Sequence, residues 1–230
     1  MNRSVTLAAL VLSLMSFEAS GQCNSDGEFY EAIKTYKEWP LNKDITIEAA
    51  IYQDQGRKNI NLGINLKNTS TGEIISSYCR TNIHDESRSR QWIKIDTAPY
   101  LLSDKATSFG IKLRLEYVST EMQIAQLDIL SIFEFDGKNI KQVVDNLLTH
   151  VKKWPNMQCH GNYVSAKRIL VLDETNKSHG HKNILLKDKI ESYKVDSKCM
   201  SDNKRHRNSE VTLKFNGEHY DIPFEYALHD

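Results

Sequence analysis

The stretch Phe109–Val144 constrains the fold more than any other part of the chain. It reads FGIKLRLEYVSTEMQIAQLDILSIFEFDGKNIKQVV. Phe109, Ile111, Leu113, Leu115 and Tyr117 alternate with Gly110, Lys112, Arg114 and Glu116. A period of two places the apolar set on one face of a strand. Leu127–Phe135 is apolar at almost every position, the pattern of a strand covered on both faces. Asp136-Gly137 supplies the left-handed conformations that a tight hairpin needs. The stretch therefore reads as an antiparallel β-meander at the centre of an all-β fold.

The rest of the chain supports that class. Ile45, Ile47, Ala49 and Ile51 alternate, as do Ile60, Leu62, Ile64 and Leu66, with Gly56 in the loop between them. Further strands are expected at Glu73–Cys79, from Trp92 to Ile95, and at Tyr163–Leu172, Asn183–Val195, Val211–Phe215 and His219–Phe224. Asn216-Gly217 marks a hairpin between the last two. The polar, basic stretch Met200–Ser209 reads as a loop.

Two segments admit a helix as well as a strand. Phe29, Ile33 and Tyr36 have helical spacing, yet Thr35–Trp39 also fits a strand. Ile140, Val143, Val144, Leu147, Leu148 and Val151 match a helix face. The Asp-Gly turn before them favours a strand returning along Leu130–Phe135. Phe133–Ile140 also resembles Leu213–Tyr220, which suggests either stacked meanders or two ordinary hairpins. The expected architecture is antiparallel meanders and hairpins, in a propeller-like stack or a sandwich, with at most one or two short helices.

Met1–Gly21 has the form of a signal peptide. Arg3 precedes an apolar run, Val5–Met15, and Ala19-Ser20-Gly21 offers small residues for cleavage. The run is too short to span about 30 Å of hydrocarbon, and no later stretch reads as a transmembrane segment. Residues 22–230 are then a single β-rich exported domain. Its four cysteines, Cys23, Cys79, Cys159 and Cys199, suggest two disulfides. Three connectivities are possible. Cys23–Cys79 with Cys159–Cys199 is favoured because each bridge then closes a loop within its own half. Each would contribute about 4 kcal/mol in the chain-entropy view.

Lys+Arg and Asp+Glu are both 30, so no global field draws the chain to nucleic acid. His179-Gly180-His181 is the most suggestive metal-ligating pattern, but zinc or copper needs further ligands, from His160 or His206. Glu134 and Asp136 lie two apart on a strand, placing their carboxylates about 7 Å apart on one face, within the range of inverting glycosidases. Alternating acids beside a hairpin are more usually a wet face. Trp92, Trp154 and Tyr163 offer rings for a sugar, and Lys204-Arg205-His206-Arg207 offers charge for an anionic surface or glycan. Core anchoring and plain solvation are the commoner roles of such residues. No phosphate loop, nucleophile elbow or zincin motif is present. Asn68-Thr69-Ser70 and Asn176-Lys177-Ser178 match glycosylation sequons, which would stay empty in a bacterium.

Several short motifs occur in a characteristic order. They are Lys37-Glu38-Trp39-Pro40, Ser108-Phe109-Gly110-Ile111-Lys112-Leu113, Phe135-Asp136-Gly137 and Val143-Val144-Asp145-Asn146-Leu147, then Cys159-His160-Gly161-Asn162-Tyr163 and His179-Gly180-His181-Lys182-Asn183-Ile184. In this order, from about Trp39 to Phe224, the chain resembles a family of uncharacterised exported β-rich proteins of Gram-negative bacteria. The resemblance implies a periplasmic or secreted protein and brings no activity with it. The expected function is a non-enzymatic domain that binds a protein or envelope component, with no cofactor and no nucleic-acid partner. The alternatives are an exported hydrolase of envelope polysaccharide or peptide, and a periplasmic metal-binding protein using His179 and His181.

Overall fold

The structure is a computed structural model that describes residue 23 and residues 29–54, 59–84, 90–118, 124–155, 161–196, 198 and 200–227. Strands follow one another along the chain: β1 (Phe29–Trp39), β2 (Asn42–Asp54), β3 (Asn59–Asn68), β4 (Ile74–His84), β5 (Arg90–Asp96), β6 (Thr107–Val118), β7 (Ile124–Phe135), β8 (Ile140–Lys153), β9 (Gly161–Ser178), β10 (His181–Val195) and β11 (Ser201–Leu213). One 3₁₀ turn, Phe224–Tyr226, follows them. There is no α-helix among the described residues. Among the described residues the strands form two antiparallel sheets, β1-β2-β3-β4 and β11-β10-β9-β8-β7-β6-β5, and no closed barrel. The all-β expectation holds, and the arrangement is a sandwich rather than a stack of propeller blades. Among the described residues, no helix is long and apolar enough to cross a membrane. Residues 1–22, where a signal peptide is expected, lie outside the described residues.

Alternation sets the register. Ile45, Ile47, Ala49 and Ile51 on β2 and Ile60, Leu62, Ile64 and Leu66 on β3 are buried. They pack against Phe109, Ile111 and Leu113 of β6 and Leu127, Ile129, Phe133 and Phe135 of β7. Trp39, fully buried at the end of β1, meets Phe109 edge-on at 5.3 Å. The other set on β7, Leu130 and Ile132, joins a second core with Leu102, Val144, Leu147, Ile184, Leu186, Leu213 and Phe215. Strand β7 is thus covered on both faces, as its unbroken apolar run requires.

Both ambiguous segments are strands. On β8 the ladder to β7 slips between Asp128 and Ile129, and again on each side of Ile132. Asn146 has φ 48°. Each slip resets which face the next residue meets. Val143, Val144 and Leu147 therefore enter the second core while Ile140, Leu148 and Val151 pack against the first. A bulged strand with two apolar faces produces the helix-like spacing seen in the sequence. On β1 the ladder to β2 slips between Glu31 and Ile33 and is regular from Ile33 to Glu38, and Tyr36, which a helix would have shared with Ile33, is 76 % exposed.

Residues 201–209, expected as loop, instead belong to the edge strand β11. Its charged side chains suit a sheet edge, where they oppose pairing with another chain. The segment after β11 forms a bridge between Phe215 and Tyr220, not the second strand expected at His219–Phe224. It then runs beside β8. The Tyr220 amide donates to Val143 O at 2.8 Å and Ala227 bridges Leu147. Strand β9 pairs with β8 only along His150–Lys153, so the C-terminal segment takes over from it.

The resemblance of Phe133–Ile140 to Leu213–Tyr220 is a repeated turn. Asp136 Oδ1 accepts from the amides of Lys138 and Asn139, and Asn216 Oδ1 accepts from those of Glu218 and His219. Gly137 and Gly217 follow with φ 95° and 109°. Cys23 and Cys79 form the expected disulfide, with Cα atoms 5.6 Å apart. Cys159 and Cys199 lie outside the described residues.

Candidate functional site

Three connections meet at one end of the large sheet: the β5–β6 segment of residues 97–106, the β7–β8 turn and the β9–β10 turn. They enclose a half-open cleft of about 420 Å³. The β9–β10 turn has two residues, His179 with φ 48° and Gly180 with φ 82°. Two positive φ values match the twist of the flanking strands. This geometry points His181 back over the sheet at the start of β10.

The His181 ring stacks on Phe215 at 3.8 Å and meets Tyr220 edge-on at 6.4 Å. Its Nε2 donates to Glu134 Oε2 at 3.0 Å. The second carboxylate oxygen of Glu134 accepts from Ser103 Oγ at 3.2 Å. Glu134 is 8 % exposed on a strand whose neighbours are apolar. A charge placed there costs free energy unless it is paired and hydrogen-bonded. Ser103 and His181 meet that requirement.

The surround is rigidly tied. The Lys182 amide donates to Leu102 O at 2.8 Å, and Tyr220 Oη donates to Lys182 O at 2.6 Å. Burial, aided by the Glu134 charge, pushes the Tyr220 phenol well above its ordinary range, so it stays a neutral donor. Charge lines the rim in both signs. Lys177 pairs with Asp104 at 2.9 Å. Lys141 sits 6.0 Å from the centre of the Phe215 ring. Lys105 has no ion-pair or hydrogen-bond partner among the described residues. Asp136 is held below its ordinary range by the Asn139 and Lys138 amides that it caps.

The structure joins two patterns that the sequence kept apart, because His181 of the His-Gly-His turn meets Glu134 of the acidic pair. It also separates the members of each. Asp136 turns into its own hairpin, while Glu134 has both oxygens engaged. His179 leans toward Gly217, with Nδ1 4.0 Å from where a Cβ on that glycine would sit. His181 commits Nε2 to Glu134, and its Nδ1 faces the His179 carbonyl at 3.4 Å. His206 pairs in register with Glu191, ten residues along β10 from His181, roughly 33 Å away at strand rise. His160 lies outside the described residues. Among the described residues, no group of three or more His, Cys, Asp and Glu side chains could hold a metal ion.

No hydroxyl or thiol is hydrogen-bonded to the His181 nitrogens among the described residues, so the arrangement differs from a nucleophile–base relay. Ser103 touches the carboxylate, not the imidazole. Sequence reasoning missed Ser103 and the Glu134–His181 contact. One signal for it was present: a lone acid inside the apolar run Leu127–Phe135 has to find a partner. No family model, curated protein or solved structure matches the chain.

Proposed function

We propose that the protein is an exported, non-enzymatic binding domain that acts in the periplasm or outside the cell on a protein or envelope component. The observation that carries this reading is the mutual commitment of Glu134 and His181. The acid–base groups on the cleft floor satisfy one another, which builds a fixed, shaped surface. Three turns held by a rigid sheet are a common way to present such a surface. The mixed rim of Lys105, Lys141, Lys177 and Asp104 suits a polar ligand carrying both signs of charge. The Cys23–Cys79 bridge supports the export half of the reading, because disulfides persist in oxidising compartments.

The test is capture from envelope extract with immobilised mature protein, compared with Lys105→Glu/Lys141→Glu. A component retained by the first and lost by the second supports the reading. The exported-hydrolase alternative draws on the same Glu134–His181 pair, since a carboxylate-oriented imidazole is a usable base. Release of sugar or peptide from envelope substrates, abolished by His181→Ala in a folded protein, would replace the binding reading with that one.

A further inference from the structure

One row of side chains, exposed at Trp92, Lys167, Lys189 and Asn208 and half-buried at Arg114, Asp128 and His150, crosses all seven strands of the large sheet, away from the cleft. Register pairs run Trp92–Arg114, Arg114–Asp128, Asp128–His150, His150–Lys167, Lys167–Lys189 and Lys189–Asn208. Six strand spacings give the row a length of roughly 29 Å. Residues paired in this way share a face. Side-chain contacts confirm it at one end, where Arg114 donates to Asp128 at 2.6 Å and 2.9 Å and its guanidinium lies 5.3 Å from the Trp92 ring centre. Trp92 is nevertheless 45 % exposed.

The β9 and β10 positions of the row hold the informative feature. Lys167 and Lys189 are directly opposed, both exposed, and neither has an ion-pair or hydrogen-bond partner among the described residues. Like charges in that position destabilise a sheet. Elsewhere on this face the acids are placed to neutralise: Glu210 lies 3.7 Å from Lys187, and Glu191 lies 3.9 Å from Lys204. Four residues along β9 from Lys167, on the same side of the strand, Tyr163 stacks on Tyr193 at 4.4 Å, with Lys204 5.5 Å from the Tyr193 ring centre. Uncompensated cations therefore share one sheet face with two aromatic platforms, Trp92 four strands away and the Tyr163–Tyr193 pair about 13 Å along β9 and β10.

The geometry points to a binding surface for an anionic polysaccharide, laid across the strands. Lys167 and Lys189 would take its carboxylate or sulfate groups. Trp92, four strands from Lys167, and Tyr163 with Tyr193, farther along the strands that carry the lysines, would take the apolar faces of sugar rings. This inference rests on the binding-domain reading but uses a surface separate from the cleft. A polymer fits better than a small anion, because the platforms and the cations are distributed over the length of the sheet.

The test measures anisotropy of fluorescent oligogalacturonate with the full mature chain. Saturable binding should weaken as salt rises. It should weaken about tenfold or more in Lys167→Glu/Lys189→Glu, as expected for losing charged hydrogen bonds. Lys167→Gln/Lys189→Gln should show the same trend without charge reversal, and circular dichroism checks that both stay folded. Trp92→Ala should also weaken binding, while His181→Ala should leave it unchanged. Absence of binding at low salt overturns the proposal, and so does affinity that the lysine variants leave untouched. Equal or tighter binding of single-stranded oligo(dT), or of neutral maltooligosaccharide, overturns the polysaccharide assignment. A ligand lost in Lys105→Glu/Lys141→Glu but retained in the Lys167/Lys189 variants would overturn this surface and leave the binding-domain reading standing. Turnover at the cleft would overturn that reading alone.

Discussion

His181 Nε2 and Glu134 Oε2 lie 3.0 Å apart although 47 residues separate them in the chain. The contact joins the start of β10 to the end of β7 and fixes the floor of the cleft. Removing the imidazole leaves a carboxylate, 8 % exposed, with Ser103 as its remaining partner. His181→Ala should therefore cost about 1–3 kcal/mol, with a further contribution from the lost stack on Phe215. Glu134→Gln keeps the shape and an acceptor oxygen, so it should cost less. Urea midpoints of the two variants check the order. If Glu134→Gln is the more damaging, the charge itself matters more than the packing.

Strand β7 offers a direct test of the two-faced core. Ile129 packs with the first cluster and Leu130 with the second, and each is 1 % exposed. Ile129→Ala and Leu130→Ala should each cost about 2–5 kcal/mol. On β6 adjacent positions should differ. Leu113 is buried, whereas Lys112 reaches Asp96 at 2.5 Å on the other side. Leu113→Ala should fall in the same large range, and Lys112→Ala should cost no more than about 1 kcal/mol. Equal losses at 112 and 113 would contradict the register of the whole sheet.

The fold was legible in the sequence wherever one face is buried. On β2, β3 and β6 the period of two survives intact, and the burial follows it. It was less legible on β8, where bulges reset parity and imitate helical spacing, and on β1, where an exposed Tyr36 falls at helical spacing from Ile33. Strand β11 was hidden for a different reason. Its residues 201–209 lie on a wing with little core beneath them, so Lys204, Arg205 and Arg207 carry no apolar alternation. The site was legible only as fragments. Glu134 and His181 each stood out, but their meeting depends on how β10 lies against the second core. Neither local pattern encodes that.

Gly110 tests close packing rather than turn geometry. A Cβ there would lie 2.8 Å from Leu130 Cδ1 and 3.3 Å from both Asp96 Cβ and Tyr100 Cε2. Leu130 is buried and has little room to move. Gly110→Ala should cost about 1–3 kcal/mol through overpacking. Gly137→Ala meets nothing within 4 Å, but it must hold φ 95°. Its cost, also about 1–3 kcal/mol, comes from the backbone, and an asparagine there should recover part of it. Asparagine at 110 should recover nothing. Thermal denaturation of the four variants separates the two mechanisms.

Asp96 should shape the acid limb of stability. Burial pushes its carboxyl up, but hydrogen bonds from Lys112, the Ala98 amide and the Tyr100 hydroxyl outweigh burial and leave it below its ordinary value of 3.8. A carboxylate lowered on folding contributes stability above its unfolded value. That contribution disappears as pH falls through the folded one. Between pH 5 and 8 the term should be constant. Below about pH 4 it should decline, and Asp96→Asn should flatten that decline. An unchanged acid slope in Asp96→Asn would assign the limb to other carboxylates, such as Glu48 beside Lys67, which is lowered in the same sense.

The Cys23–Cys79 bridge ties a residue ahead of β1 to β4 across the small sheet. Cys23 is 5 % exposed, and its carbonyl accepts from Asn61 Nδ2 at 2.9 Å. The bridge spans 56 residues. By loop entropy, its loss should cost about 4 kcal/mol. That is a large share of the ~5–15 kcal/mol that stabilises a typical domain. Cys23→Ser/Cys79→Ser should therefore lower the melting temperature about as much as a large-to-small core substitution on β2 or β3. Alkylation of the unreduced protein should leave Cys23 and Cys79 unlabelled in mass spectrometry. Label at both positions in protein purified from an oxidising compartment would remove the bridge, and with it the structural support for export. A small shift in the serine variant with the bridge intact in the parent would place the stabilisation in the packing of Cys23 against β3, not in the covalent link.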